Sequence, residues 1–184
     1  LYWESSGWID IDLCKIAWRV PKYFYIGNAY CFHLFPKKTQ LEAMLEKTWG
    51  DHIFPVCVFA PVEEKDLIKI EEILKLLSDW CQNKCVKIEL VINDWGMAGL
   101  IRKKYPNQFL LTLGCLLSKQ RRDTRMNYVN RNDNEFSKEK SQIDAPFYRQ
   151  YLAKHFNITR VSFQNSDIDK SFFTPDSMIG MTLH

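Results

Sequence analysis

IFPVCVFAPVEEKDLIKIEEILKLLSDWCQNKCVKIELVIND, residues 53–94, is the stretch on which the fold reading turns. Ile53 to Ala60 is an almost wholly apolar run of strand length, interrupted by Pro55. Such a run predicts a strand covered on both faces, as parallel sheets require. Pro61 leads into a helix from about Glu63 to Trp80. There Leu67, Ile70, Ile73, Leu74, Leu77 and Trp80 recur at three and four residues, and acids fill the first turn, where the helix dipole favours them. Val86 to Ile92 is the next apolar strand, and it runs directly into Asn93, Asp94, Trp95 and Gly96. Strand, helix and strand in this order predict a right-handed crossover between parallel neighbours.

The same alternation extends outward. Upstream, Tyr23 to Ile26 reads as an aromatic-rich strand closed by Gly27 and Asn28. Thr39, with Glu42 three residues on, predicts a helix opened by a capping box, with Leu41, Met44 and Leu45 on its apolar stripe. Residues 1–22 show no clear period and read as an irregular lead-in. Downstream, a short helix over Met97 to Lys104 ends before Pro106, and Phe109 to Leu113 is another strand. Phe147 to His155 reads as a helix, and Arg160 to Phe163 and Met178 to Leu183 as short strands. Residues 118–142 are polar and charged, a long connection that is either functional or mobile. Five or six strands alternating with helices predict an α/β fold with a mainly parallel sheet. A closed eight-stranded barrel takes about 250 residues, and this chain has 184. The chain is therefore an open sheet, a truncated barrel, or one that completes its core with a partner, and the expectation is one incomplete TIM-barrel-like (β/α) domain over residues 23–184.

Composition narrows the function classes. With 46% apolar residues the chain can bury a core. A net charge of +3 is too small to mark a dedicated nucleic-acid binder, so nucleic acid is not the expected partner. The longest near-apolar run, Phe109 to Leu117, is too short to span a bilayer, and Leu1 to Leu13 lacks the layout of a secretion signal. Six cysteines over this length do not make a disulfide scaffold; Cys14, Cys31, Cys57 and Cys115 lie in or beside apolar stretches, where free cysteine acts as a small hydrophobe, and the expected location is the cytoplasm. The opening Leu1 suggests that the native chain continues upstream.

Active groups of parallel α/β folds gather at the carboxyl ends of strands. That rule nominates Gly27 to His33, Ala60 to Glu63, Asn93 to Gly96, and Gly114 to Arg125. In the last, Lys119, Arg121, Arg122 and Arg125 surround Asp123 beside Ser118, Gln120 and Thr124. Arginines there suit a carboxylate or phosphate, because guanidinium donates two parallel hydrogen bonds; a solvated loop is the competing reading. Asn93 and Asp94 are candidate catalytic groups, with Asp94 as acid or base; capping the next helix is an equal alternative. Cys31 and His33, two apart, could form a metal site or a nucleophile–base pair, against burial without function. Cys81 and Cys85 lack two further ligands of matching spacing.

Val91-Ile92-Asn93-Asp94-Trp95-Gly96, followed by Leu113-Gly114-Cys115-Leu116-Leu117-Ser118-Lys119-Gln120-Arg121-Arg122-Asp123-Thr124-Arg125, resembles the collagenase-like peptidase family, which includes the oxygen-independent ubiquinone-hydroxylation accessory proteins. Tyr25 to Cys31 is similar to that family's early strand and cysteine-bearing loop. The resemblance covers roughly residues 23–184. It implies a TIM-barrel-like fold with a site lined by Asn93, Asp94, Lys119, Gln120, Arg121 and Asp123, and with Cys31 as a candidate iron–sulfur ligand. Cys115 stands where the family has arginine, and the family's cluster cysteines follow the strand that here ends the chain. The leading expectation is a protein that binds a peptide or small acidic substrate, or a partner chain or second copy of itself, at the carboxyl face. The alternatives are an iron–sulfur accessory protein of oxygen-independent hydroxylation and an active peptidase.

Overall fold

The computed structural model describes residues 22–118, 142–163 and 180–183, so the lead-in over 1–21 and residues 119–141 lie outside the described residues. Six strands are described, the first five alternating with helices. They fall into two compact units, Leu1–Leu110 and Leu111–His184.

The first unit carries β1 (Tyr23–Gly27), α1 (Lys38–Gly50), β2 (Phe54–Phe59), α2 (Leu67–Lys84), β3 (Glu89–Ile92) and α3 (Trp95–Lys104). β1 and β2 pair in parallel with Gly27 opposite Val58, and β2 and β3 with Phe59 opposite Ile92. The three carboxyl ends are therefore neighbours. Val56 to Phe59 and all of β3 are buried, as the unbroken apolar runs require. Ile70, Leu74, Leu77 and Trp80 form the buried stripe of α2, and Leu41, Met44 and Leu45 that of α1.

Helix ends depart from the sequence reading for local reasons. α1 begins at Lys38 rather than Thr39, and Lys37, extended at φ −65° and ψ 157°, takes the cap position. Its N–H donates to Gln40 Oε1 at 3.1 Å, so Gln40 does the reaching back assigned to Glu42. Buried Pro36 precedes the cap, and its ring holds Phe35 in extended backbone, so the helix does not reach back into the β1 loop. α2 continues four residues past Trp80 and stops where Cys85 turns left-handed at φ 55°. The two helices are joined by Glu46, which accepts from Trp80 Nε1 and from Lys84 Nζ, each at 2.8 Å. Trp49 stands edge-on against Trp80.

The second unit carries β4 (Leu110–Leu113), α4 (Pro146–Phe156), β5 (Ile158–Phe163) and β6 (Gly180–Leu183). β4 pairs with β5 and β5 with β6, again in parallel. Pro146 opens α4, the helical position where a missing N–H costs nothing, and Asn157 closes it left-handed at φ 54°. All strand pairs described are parallel, and the α/β class expected from the sequence is the class observed. No helix of the described residues is long and apolar enough to cross a membrane.

Candidate functional site

The loop after β1 begins with a backbone that only glycine accommodates. Gly27 has φ +108°, and a Cβ there would lie 2.3 Å from the Val58 carbonyl oxygen and 2.8 Å from Phe35 Cδ2. Asn28 then folds the chain back, its Oδ1 accepting from the N–H groups of Tyr30 at 2.7 Å and Cys31 at 3.0 Å. A single 3-10 turn, Phe32–Leu34, follows. Phe35 stacks on Phe59 with ring centroids 4.8 Å apart, so the β1 loop crosses the carboxyl end of β2. The loop thus presents half-buried Cys31 and exposed His33 above that end.

The β2 loop contributes Asp66, whose side chain is only 5% exposed. Lys69 Nζ donates to Asp66 Oδ1 at 2.7 Å, while the lysine side chain itself is 65% exposed. That hydrogen bond holds the Asp66 carboxyl below the ordinary carboxylate range against the opposing effect of burial, and the charges of Lys69, His33 and Lys65 act in the same direction as the hydrogen bond. In the same loop Glu63 is paired with Lys65 at 2.5 Å.

Acid sensitivity follows from Asp66. A carboxyl whose folded pKa is depressed adds stability that is complete above its unfolded value, near about 3.9, and is lost as pH falls through the lower folded value. Denaturant midpoints of the natural sequence are expected to fall more steeply below about pH 4 than those of Asp66→Asn. Parallel curves for the two proteins would remove Asp66 from the account of acid unfolding.

After β3, both residues nominated from the sequence hold the backbone. Asn93 is 3% exposed, and its Nδ2 donates to the Phe59 carbonyl at 2.9 Å, tying the carboxyl ends of β2 and β3 together. Asp94 caps α3: its Oδ1 accepts from Gly96 N–H at 3.0 Å and its carbonyl from Ala98 N–H at 3.2 Å. The capping alternative for Asp94 is thus realised in the structure, in a side chain that remains partly accessible. Ser118 plays a comparable part in the second unit, its Oγ donating to the Ser162 carbonyl at 2.9 Å.

Of the residues nominated from the sequence, Cys31, His33, Asn93 and Asp94 stand at the carboxyl ends of β1 and β3, two adjoining neighbours of β2. Lys119, Gln120, Arg121, Arg122, Asp123 and Arg125 lie outside the described residues. Among the described residues no group of three or more His, Cys, Asp and Glu side chains could hold a metal ion, so Cys31 has no such set around it. Cys57 and Cys81 are buried free thiols, the first pushed far up by desolvation, and Cys85 is exposed.

Sequence reading missed Asp66 and Lys69. Their signal was an aspartate with lysine three residues on, opening the helix that follows a buried strand. It reads as ordinary helix-start chemistry until the tertiary structure buries the acid. A second signal was missed as well. Tyr30, Leu34, Leu67, Ile68 and Trp95 are 37–74% exposed; Tyr30 and Leu34 follow β1, Leu67 and Ile68 open α2, and Trp95 opens α3.

Comparison with protein-family models, curated proteins and solved structures gives no match to this chain.

Proposed function

We propose that this chain is a peptide-binding α/β protein whose ligand lies across the carboxyl ends of β1, β2 and β3. One observation carries the reading. Five large apolar side chains, Tyr30, Leu34, Leu67, Ile68 and Trp95, are exposed on the segments that lead from β1, β2 and β3, the segments that also carry His33 and Lys69. Large apolar side chains left exposed on loops at strand ends are candidates for contact with a ligand. A peptide is the ligand that supplies both apolar side chains and polar main chain.

The resemblance of residues 23–184 to the collagenase-like peptidases agrees with a peptide ligand, and in this reading the chain is an incomplete barrel of the cytoplasm that works with a partner chain or a second copy of itself. Asn93 and Asp94 keep the rim in shape, the one by pinning β2 to β3 and the other by starting α3.

The test is amide NMR of the labelled protein titrated with a mixture of synthetic hexapeptides ending in Leu, Ile, Val or Phe. Shifts should concentrate in residues 28–35, 61–69 and 93–97. Shifts confined to other segments, or none at millimolar peptide, would end the reading.

A further inference from the structure

We infer that the loop after β1 is a lid that fills its own site: Phe35 holds, over Phe59, the place that an aromatic side chain of the peptide takes when the loop opens. The inference rests on the peptide-binding reading and names the class of ligand and the group that competes with it.

The floor of this site is fixed. Phe59 ends β2, the middle strand of the first unit, and is fully buried. Its strand is paired with β1 on one side and β3 on the other, and its carbonyl accepts from Asn93 Nδ2 at 2.9 Å. In parallel α/β folds the carboxyl end of such a strand is where ligands bind. Here the chain supplies the occupant. The Phe35 ring lies on the Phe59 ring with centroids 4.8 Å apart and planes 13° from parallel. It also fills the space beside Gly27, where an added Cβ would meet it at 2.8 Å. A flat ring on a flat ring is a contact that an aromatic ligand group reproduces.

The roof is built differently from the floor. The hydrogen bonds that shape the loop are local: Asn28 Oδ1 accepts from Tyr30 and Cys31, Leu34 N–H donates to the Cys31 carbonyl at 3.3 Å, and Phe35 N–H to the Phe32 carbonyl at 2.9 Å. Such bonds travel with the loop and survive when it swings outward. A segment whose backbone bonds are internal opens at lower cost than a strand tied into a sheet. Both ends suit a hinge. Gly27 has no Cβ to limit its rotation, and Phe35 and Lys37 are extended on either side of Pro36. A site that is closed most of the time binds with its affinity reduced by the fraction open, so removal of the competing ring strengthens binding.

Two acetylated, amidated hexapeptides of glycine and serine test the inference by calorimetry, one with a central phenylalanine and one with alanine in that place. Phe35→Ala is expected to bind the phenylalanine peptide about tenfold tighter than the natural sequence does, the worth of one aromatic pair. Its affinity for the alanine peptide should not change. A second measurement uses the natural sequence and needs no variant to bind: fluorine NMR of the chain labelled with 4-fluorophenylalanine, with the Phe35 signal identified by its loss in Phe35→Leu. That signal should move toward its unfolded position as the phenylalanine peptide is added. A Phe35 signal that stays in place while the peptide binds, or equal affinity of the natural sequence and Phe35→Ala, overturns the lid and leaves peptide binding standing. Equal tightening toward both peptides overturns the aromatic ligand. Absence of binding of either peptide to either protein removes the peptide reading and this inference together.

Discussion

Gly27→Ala is expected to lower the stability of the fold by about 3 kcal/mol or more and to move its urea midpoint down sharply. Two costs coincide at this position. At φ +108° the backbone lies where side chains of L residues are rarely found, and the added methyl would sit 2.3 Å from the Val58 carbonyl oxygen, a contact no real Cβ sustains. Strain of that kind costs about 1–3 kcal/mol and forced overpacking about as much again. Relief by backbone movement is resisted on both sides. Val58 lies in a buried strand between two parallel partners, and Phe35, the other close neighbour, is stacked on Phe59. The sum, about 3 kcal/mol or more, is a large part of what holds a domain together. Urea unfolding followed by circular dichroism measures it. A midpoint within experimental scatter of the natural sequence would show that the β1 loop does not need this conformation.

The second large effect separates stability from binding along one helix. Leu74 is fully buried on the inner stripe of α2, and Leu74→Ala is expected to cost about 2–5 kcal/mol, through lost burial and the cavity left behind. Ile68 lies six residues earlier and is 74% exposed. Ile68→Ala should change stability by no more than about 0.5 kcal/mol while weakening the peptide. The same chemistry, truncation of a large aliphatic side chain, thus has opposite consequences at two positions of one element. Comparable losses of stability at both sites would mean that Ile68 is part of the packing, and the apolar rim would lose its functional meaning.

Asn93 and Asp94 show how a strand-end motif can be located correctly while its work stays open. Both residues sit where the rule of carboxyl ends puts them. Their types were compatible with acid–base chemistry and with backbone support, and sequence has no means of ranking the two. The structure supplies the partners: the Phe59 carbonyl, which comes from a strand 34 residues earlier, and the Gly96 N–H. Asp66 illustrates the converse. In the sequence it was one of several acids at the start of a helix, and only folding made it the member that is buried and bound to Lys69.

The sequence by itself determined the order of strands and helices, the parallel sense of their pairing and the stripes that form the core. These depend on the local spacing of apolar residues, which a chain displays whether or not it is folded. The helix caps at Lys37 and Cys85, the burial of Asp66, the hydrogen bond from Asn93 to Phe59 and the exposure of Tyr30, Leu34, Ile68 and Trp95 were decided only by the tertiary structure. Each depends on a neighbour distant along the chain or on a competition for one backbone position. Apolar spacing repeats with the period of a single element, and it carries no record of which loops will meet when three elements stand side by side.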